Sequence, residues 1–117
     1  MKSKLRTNES GDEFWILPNR DYHKEDGPAV EFSHGDKEWW INGKLHRKNG
    51  PAVELNNGDK EWWLDGELHR EDGPAVELNN GDEDWWLNGF EYSESEHKAE
   101  ISKKKIEEYT FINNLNE

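Results

Sequence analysis

The chain of 117 residues has the length of one domain or one short repeat array, and its 27 Asp and Glu against 15 Lys and Arg give a formal net charge of −12. That balance argues against a nucleic-acid backbone or an anionic membrane as the main partner, since both need clustered cations. The lack of cysteine excludes disulfide scaffolds and Cys-ligated zinc. No apolar run approaches the ~20 residues of a membrane span, and the expected location is cytoplasmic.

Leu, Ile, Val and Phe are scarce enough, at this charge, to suggest disorder. Seven Trp, three Tyr and four Phe point the other way, and their arrangement decides. Residues 1–12 carry no periodic pattern or apolar signal core and are expected to form a flexible tail. Residues 13–92 are an internal repeat with a 23-residue step. The step links His23, His46 and His69; Pro28, Pro51 and Pro74; Val30, Val53 and Val76; Trp39, Trp62 and Trp85; and Trp40, Trp63 and Trp86. The first unit is degenerate, with Ile16 and Leu17 at the Trp positions and Arg20 for the turn glycine. The last is cut short at Tyr92, as capping repeats are.

Each unit holds two turn signals. Asn57-Gly58 and Asn80-Gly81 form one set; Asn42-Gly43, Asp65-Gly66 and Asn88-Gly89 form the other. They bound strands expected near 28–33, 37–41, 51–55, 60–64, 74–78 and 83–87, with a partial strand at 13–17. Pairing Leu55 with Lys60 and Val53 with Trp62 gathers Val53, Leu55, Trp62 and Leu64 on one face. The other face then holds Ala52, Glu54, Glu61 and Trp63. From residue 93 to 117 the pattern turns helical, with Ser93 or Ser95 as N-cap. A stripe of Ala99, Ile106, Tyr109, Ile112 and Leu115 is expected to cover some of the apolar sheet face.

The Trp40, Asn42-Gly43-Lys44, His46, Gly50 and Gly58-Asp59 pattern resembles the MORN repeat over about residues 13–92. Arg47 and Arg70 replace the usual glycine after His, which makes the likeness that of a divergent, MORN-like form. Repeats similar to HREDGPA occur in proteins of bacteriophages and large DNA viruses. The resemblance implies a mainly β, single-layer antiparallel sheet of repeated hairpins with one C-terminal α-helix. It also implies a binding scaffold that often self-associates, with no catalytic residue and no cofactor.

Three kinds of side chain are candidates for binding. Trp40, Trp63 and Trp86, one per repeat, form an expected outward column suited to anchoring a protein partner. The carboxylate columns Glu31, Glu54, Glu77 and Glu38, Glu61, Asp84 are expected beside them, where they could occupy a basic groove that otherwise holds nucleic acid. His46-Arg47 and His69-Arg70 could clamp the phosphate of a small nucleotide beside the aromatic column. Metal is not expected, because equivalent His residues two strands apart are roughly 10 Å from each other, too far to share an ion. Repetition spreads the acid and base groups instead of converging them, so the expectation is a non-enzymatic binding module. By analogy with the viral repeats it would inhibit a host protein, such as one of antiviral defence. The alternatives are a nucleotide sponge and a homotypic scaffold or homodimer.

Overall fold

The computed structural model describes residues 2–115. It is mainly β: strands β1 (Lys4–Thr7), β2 (Glu13–Ile16), β3 (Val30–Glu31), β4 (Lys37–Glu38), β5 (Trp40–Ile41), β6 (Lys44–Leu45) and β7 (Val53–Glu54) come first. They are followed by β8 (Lys60–Glu61), β9 (Trp63–Leu64), β10 (Glu67–Leu68), β11 (Val76–Glu77), β12 (Glu83–Leu87), β13 (Phe90–Tyr92) and the helix α1 (Glu94–Leu115). One antiparallel sheet runs β1-β2-β3-β4-β7-β8-β11-β12-β13, and the pairs β5-β6 and β9-β10 form small hairpins of their own. The molecule measures 59 × 38 × 18 Å, the thinness of a single sheet layer with a helix on it.

Each repeat is built from two turns of different type. Leu55 and Asp59 close a three-residue loop: Leu55 N–H donates to Asp59 O (2.9 Å) and Gly58 N–H to Leu55 O (2.9 Å), with Gly58 at φ 98°. The second turn is a two-residue loop with both residues left-handed, Asn42 at φ 49° and Gly43 at φ 77°, the type I′ geometry that matches strand twist. Strand β4 therefore runs on into β5 but changes partner at Trp39. The Trp39 N–H donates to Ala52 O at 2.7 Å, while its carbonyl accepts from His46 N–H at 3.0 Å. Trp62 repeats this hand-over with Ala75 and His69.

The three-residue loop corrects the expected register. Val53 lies opposite Glu61 and Glu54 opposite Lys60, one residue away from the pairing that gathers Val53 with Trp62. The physical reason is that Gly58 supplies the left-handed third loop position, not the second position of a two-residue turn. Val53 consequently shares a face with Trp63, and Glu54 with Trp62. The first unit is corrected too. Its tight turn is replaced by a three-residue loop, so Trp15 and Ile16, not Ile16 and Leu17, occupy the two Trp positions. Trp15 N–H donates to Ala29 O and its carbonyl accepts from His23 N–H, and Ile16 bridges Tyr22.

The N-terminal segment, expected as a flexible tail, supplies β1, which pairs residue for residue with β2. At the other end Ser93 and Glu96 form a reciprocal capping box: Glu96 N–H donates to Ser93 Oγ, and Ser93 N–H to Glu96 Oε1. Those bonds hold the Glu96 carboxyl below its ordinary value. The helix does not cover the sheet. It rests on the last hairpin through buried His97, while the Lys104 ammonium meets Glu71, in the loop between β10 and β11, at 3.0 Å. That bond lowers the Glu71 carboxyl and raises the Lys104 ammonium. Ile106, Tyr109, Ile112 and Leu115, expected to cover the sheet, stay exposed.

Neighbouring repeats are tied at both ends of their hairpins. Asp12 accepts from Ser33 N–H, Asp36 from Asn56 N–H and Asp59 from Asn79 N–H, at 2.7–2.8 Å. The backbone donors hold Asp12 and Asp36 below the ordinary carboxylate value. A lowered folded value means that their stabilisation is complete above the unfolded carboxylate range, near pH 4, and is lost as pH falls through the folded value. An Asp36→Asn variant should therefore melt at a lower temperature at pH 7, and its melting temperature should fall less steeply than the wild type's between about pH 5 and pH 2. Parallel acid profiles of the two proteins would dismiss this role for Asp36.

Candidate functional site

Strand register and alternation divide the side chains between two faces. One face carries Trp15, Trp39, Trp62 and Trp85, and each has a partner against its ring. Lys24 Nζ lies 4.6 Å from the Trp15 centroid, Arg47 Cζ 3.9 Å from that of Trp39, and Arg70 Cζ 3.8 Å from that of Trp62. Trp85, the last, has no arginine; His97 from the helix meets it edge-on with centroids 4.9 Å apart. The arginine forks are further engaged. Arg47 Nη1 donates to Pro51 O and Glu54 Oε1 (3.0 and 3.1 Å); Arg70 Nη1 donates to Pro74 O and Glu77 Oε1 (3.0 and 2.8 Å), and its Nε to Asp72. Stacking and charge-assisted bonds together hold each guanidinium in place.

His46 and His69 act on the same side of the array. The Asp65 N–H donates to His46 Nδ1 at 3.0 Å and the Asn88 N–H to His69 Nδ1 at 2.9 Å, as Asn42 N–H does to His23. An Nδ1 acceptor places the ring N–H on Nε2. Each imidazole closes the tight turn of the following repeat. A His46→Ala variant should speed hydrogen exchange of the Asp65 amide by roughly a factor of 5–10, the equivalent of one hydrogen bond. Unchanged exchange at Asp65 would rule out the clamp.

The opposite face carries Val30, Val53 and Val76 with Trp40, Trp63 and Trp86. Phe14 stands across from Val30, Leu45 across from Trp40 and Leu68 across from Trp63. Phe14, Tyr22 and Trp40 continue the row through ring contacts at 6.0 and 5.3 Å. From Phe14 to Glu91 the strand residues on this valine face are either apolar or acidic: the acids are Glu38, Glu61, Asp84 and Glu91, and Lys and Arg are absent from them. Trp40 Nε1 donates to Glu38 and Trp63 Nε1 to Glu61, both at 2.8 Å, which fixes each indole with its polar edge satisfied.

The expected site set is thus divided. Trp40, Trp63 and Trp86 stand with Glu61 and Asp84, as expected of one carboxylate column. Glu31, Glu54 and Glu77 do not join them: the register places these on the arginine face, where Glu54 and Glu77 pair with Arg47 and Arg70. His46, Arg47, His69 and Arg70 line shallow clefts of about 590 and 570 Å³ between successive loops, where each arginine already bonds within the array through Nη1 and each of the two histidines accepts at Nδ1. The sequence pattern missed Phe14, Tyr22, Leu45 and Leu68, the last two because the strands after the tight turns are only two residues long.

The third indole of this column differs from its equivalents. Trp86 Nε1 is buried without a hydrogen-bond partner, and the residue two positions before it is Asp84, one methylene shorter than Glu38 and Glu61. Asp84→Glu should supply the missing acceptor and raise stability by about 1 kcal/mol in denaturant melts. A neutral or destabilising result would show that side-chain length is not the reason.

No family model matches the chain, and neither the curated proteins nor the solved structures contain a match. Among the described residues, no group of three or more His, Asp or Glu is arranged to hold a metal ion, and no helix is long and apolar enough to cross a membrane.

Proposed function

We propose that the chain is a non-enzymatic protein-binding scaffold that presents its valine face to a partner surface combining apolar and basic groups. The observation that carries this reading is the composition of that face: aromatic and aliphatic side chains punctuated only by carboxylates along the repeat strands. Apolar area with aromatic anchors supplies affinity, and one sign of charge selects the partner and steers its approach. The carboxylates recur once per repeat, a spacing that suits a protein with a groove for a polyanion. The MORN-like resemblance, and its occurrence in phages and large DNA viruses, supports a host protein as the partner by analogy alone.

Sequestration of a small nucleotide by His46-Arg47 and His69-Arg70 is the weaker proposal. A ligand there would have to displace bonds that Arg47 and Arg70 already make to Pro51, Glu54, Pro74 and Glu77.

Photo-crosslinking side chains placed at Glu91, on the valine face, and at Lys60, on the arginine face, separate the readings. The scaffold reading expects a protein adduct at position 91 that is lost on Asp84→Lys and weakened by salt, with none at position 60. Adducts confined to position 60, or a retained adduct below roughly 1 kDa in a native mass spectrum that is lost on Arg47→Gln and Arg70→Gln, would overturn it, since nucleotide-sized ligands lie in that range.

A further inference from the structure

The loop that distinguishes the first repeat carries a strained cation. Residues 18–20 close between Leu17 and Asp21 with the bonds seen in the other three-residue loops: Leu17 N–H to Asp21 O and Arg20 N–H to Leu17 O. In the equivalent loops the last position belongs to Gly11, Gly35, Gly58 and Gly81, all at positive φ. Here it is Arg20, at φ 75°. A long side chain in the left-handed region costs stability that glycine would not, and such an outlier points to a use for the side chain.

Arg20 shares a cleft of about 480 Å³ with Lys2, Lys4 and Arg6, floored by Ile16 and Leu17. Lys4 and Arg6 project to the same side of β1, opposite Ile16 and Phe14. None of these four cations belongs to an ion pair among the described residues, although the chain's net charge is −12. Among the described residues, the one acceptor for the Arg6 side chain is the carbonyl of its neighbour Leu5, at 3.3 Å. Like charges converging on one cleft repel each other. In an acidic protein, carboxylates to neutralise them would be easy to supply, yet the cleft lining contains none.

We propose that this cleft at the N-terminal edge of the sheet binds a small phosphorylated molecule. A diphosphate group would sit among Lys4, Arg6 and Arg20, accepting charge-assisted bonds from forks and ammonium groups that have no other anion to meet. The apolar floor of Ile16 and Leu17 would take the carbon body of the ligand. The site lies at the far end of the sheet from the helix, at the β1 edge of the valine face, beyond the repeat strands on which the protein partner is inferred to dock.

Inorganic pyrophosphate is the probe, with thermal melts and titration calorimetry at 0.15 M NaCl as the readouts. Pyrophosphate at roughly millimolar concentration should raise the melting temperature of the wild type. Arg20→Gly relieves the strained backbone while removing a cation, so it should raise the melting temperature of the free protein and weaken pyrophosphate binding about tenfold. Arg6→Gln should weaken binding without the stabilisation, and Lys60→Gln, on the other face, should leave binding unchanged. The proposal is overturned by a wild type that shows no pyrophosphate binding, or by an Arg20→Gly variant that binds as tightly as the wild type. It is overturned equally by an Arg20→Gly variant that is less stable than the wild type.

Discussion

A single-layer sheet has nothing behind it, so each repeat must bury its groups against the next one. The dipeptide after the tight turn meets this constraint. The His46 imidazole accepts the Asp65 turn amide of the following repeat. Arg47 lies on the Trp39 ring of its own repeat and bonds Pro51 O and Glu54 at the start of the next hairpin. Both side chains reach forward by one unit, which makes the array a chain of nearest-neighbour ties. The fully buried Ala29, Ala52 and Ala75 mark the seam where the long strand changes partner.

This arrangement leaves the two faces in different condition. On the arginine face Trp39 and Trp62 are each covered by an arginine, and each arginine bonds a carboxylate and a carbonyl. That face is spent on holding the repeats together. The valine face satisfies its indole nitrogens locally, through Glu38 and Glu61, and keeps its apolar surface unpaired with any second layer. The helix could have supplied that layer. It docks on the arginine face instead, because His97 completes the row of stacked partners over Trp85 and its Nε2–H reaches Arg70 O at 2.6 Å. The helix therefore acts as the terminal unit of the ladder.

The repeat, the hairpin turns and the helix with its Ser93 cap were legible because each rests on local chemistry: glycine at positive φ, an N-cap hydroxyl, a recurring aromatic pair. Register was not legible, because Asn-Gly serves two different turns in this chain. At Asn42-Gly43 both residues are left-handed; at Asn57-Gly58 only the glycine is. Maximising apolar clustering then chose the wrong pairing, since the clustering criterion presumes one buried face. In a single-layer sheet Val53 and Trp62 are each half of a different packing scheme, one aliphatic and one cationic. The split of the carboxylate columns, Glu61 to one face and Glu54 to the other, follows from that same one-residue slip. His97 was equally hidden, because its role is spatially that of a third arginine while its place in the chain lies on a helix.

An array of near-identical units supplies its own controls, so a departure at one position can be weighed against equivalents that fold the same way. Asp84 in place of Glu leaves an indole nitrogen unpartnered, an effect that Trp40 and Trp63 show to be avoidable. Lys48-Asn49 in place of Glu-Asp, as at Glu25-Asp26 and Glu71-Asp72, changes local charge at a solvent-facing bend and leaves the backbone alone. Arg20 is of another kind. It keeps the bond pattern of its loop, accepts a backbone conformation that four glycines elsewhere occupy freely, and adds a cation where three others already stand. A terminal repeat has one neighbour fewer, so its free edge is where a fold of this kind can hold groups that packing does not use.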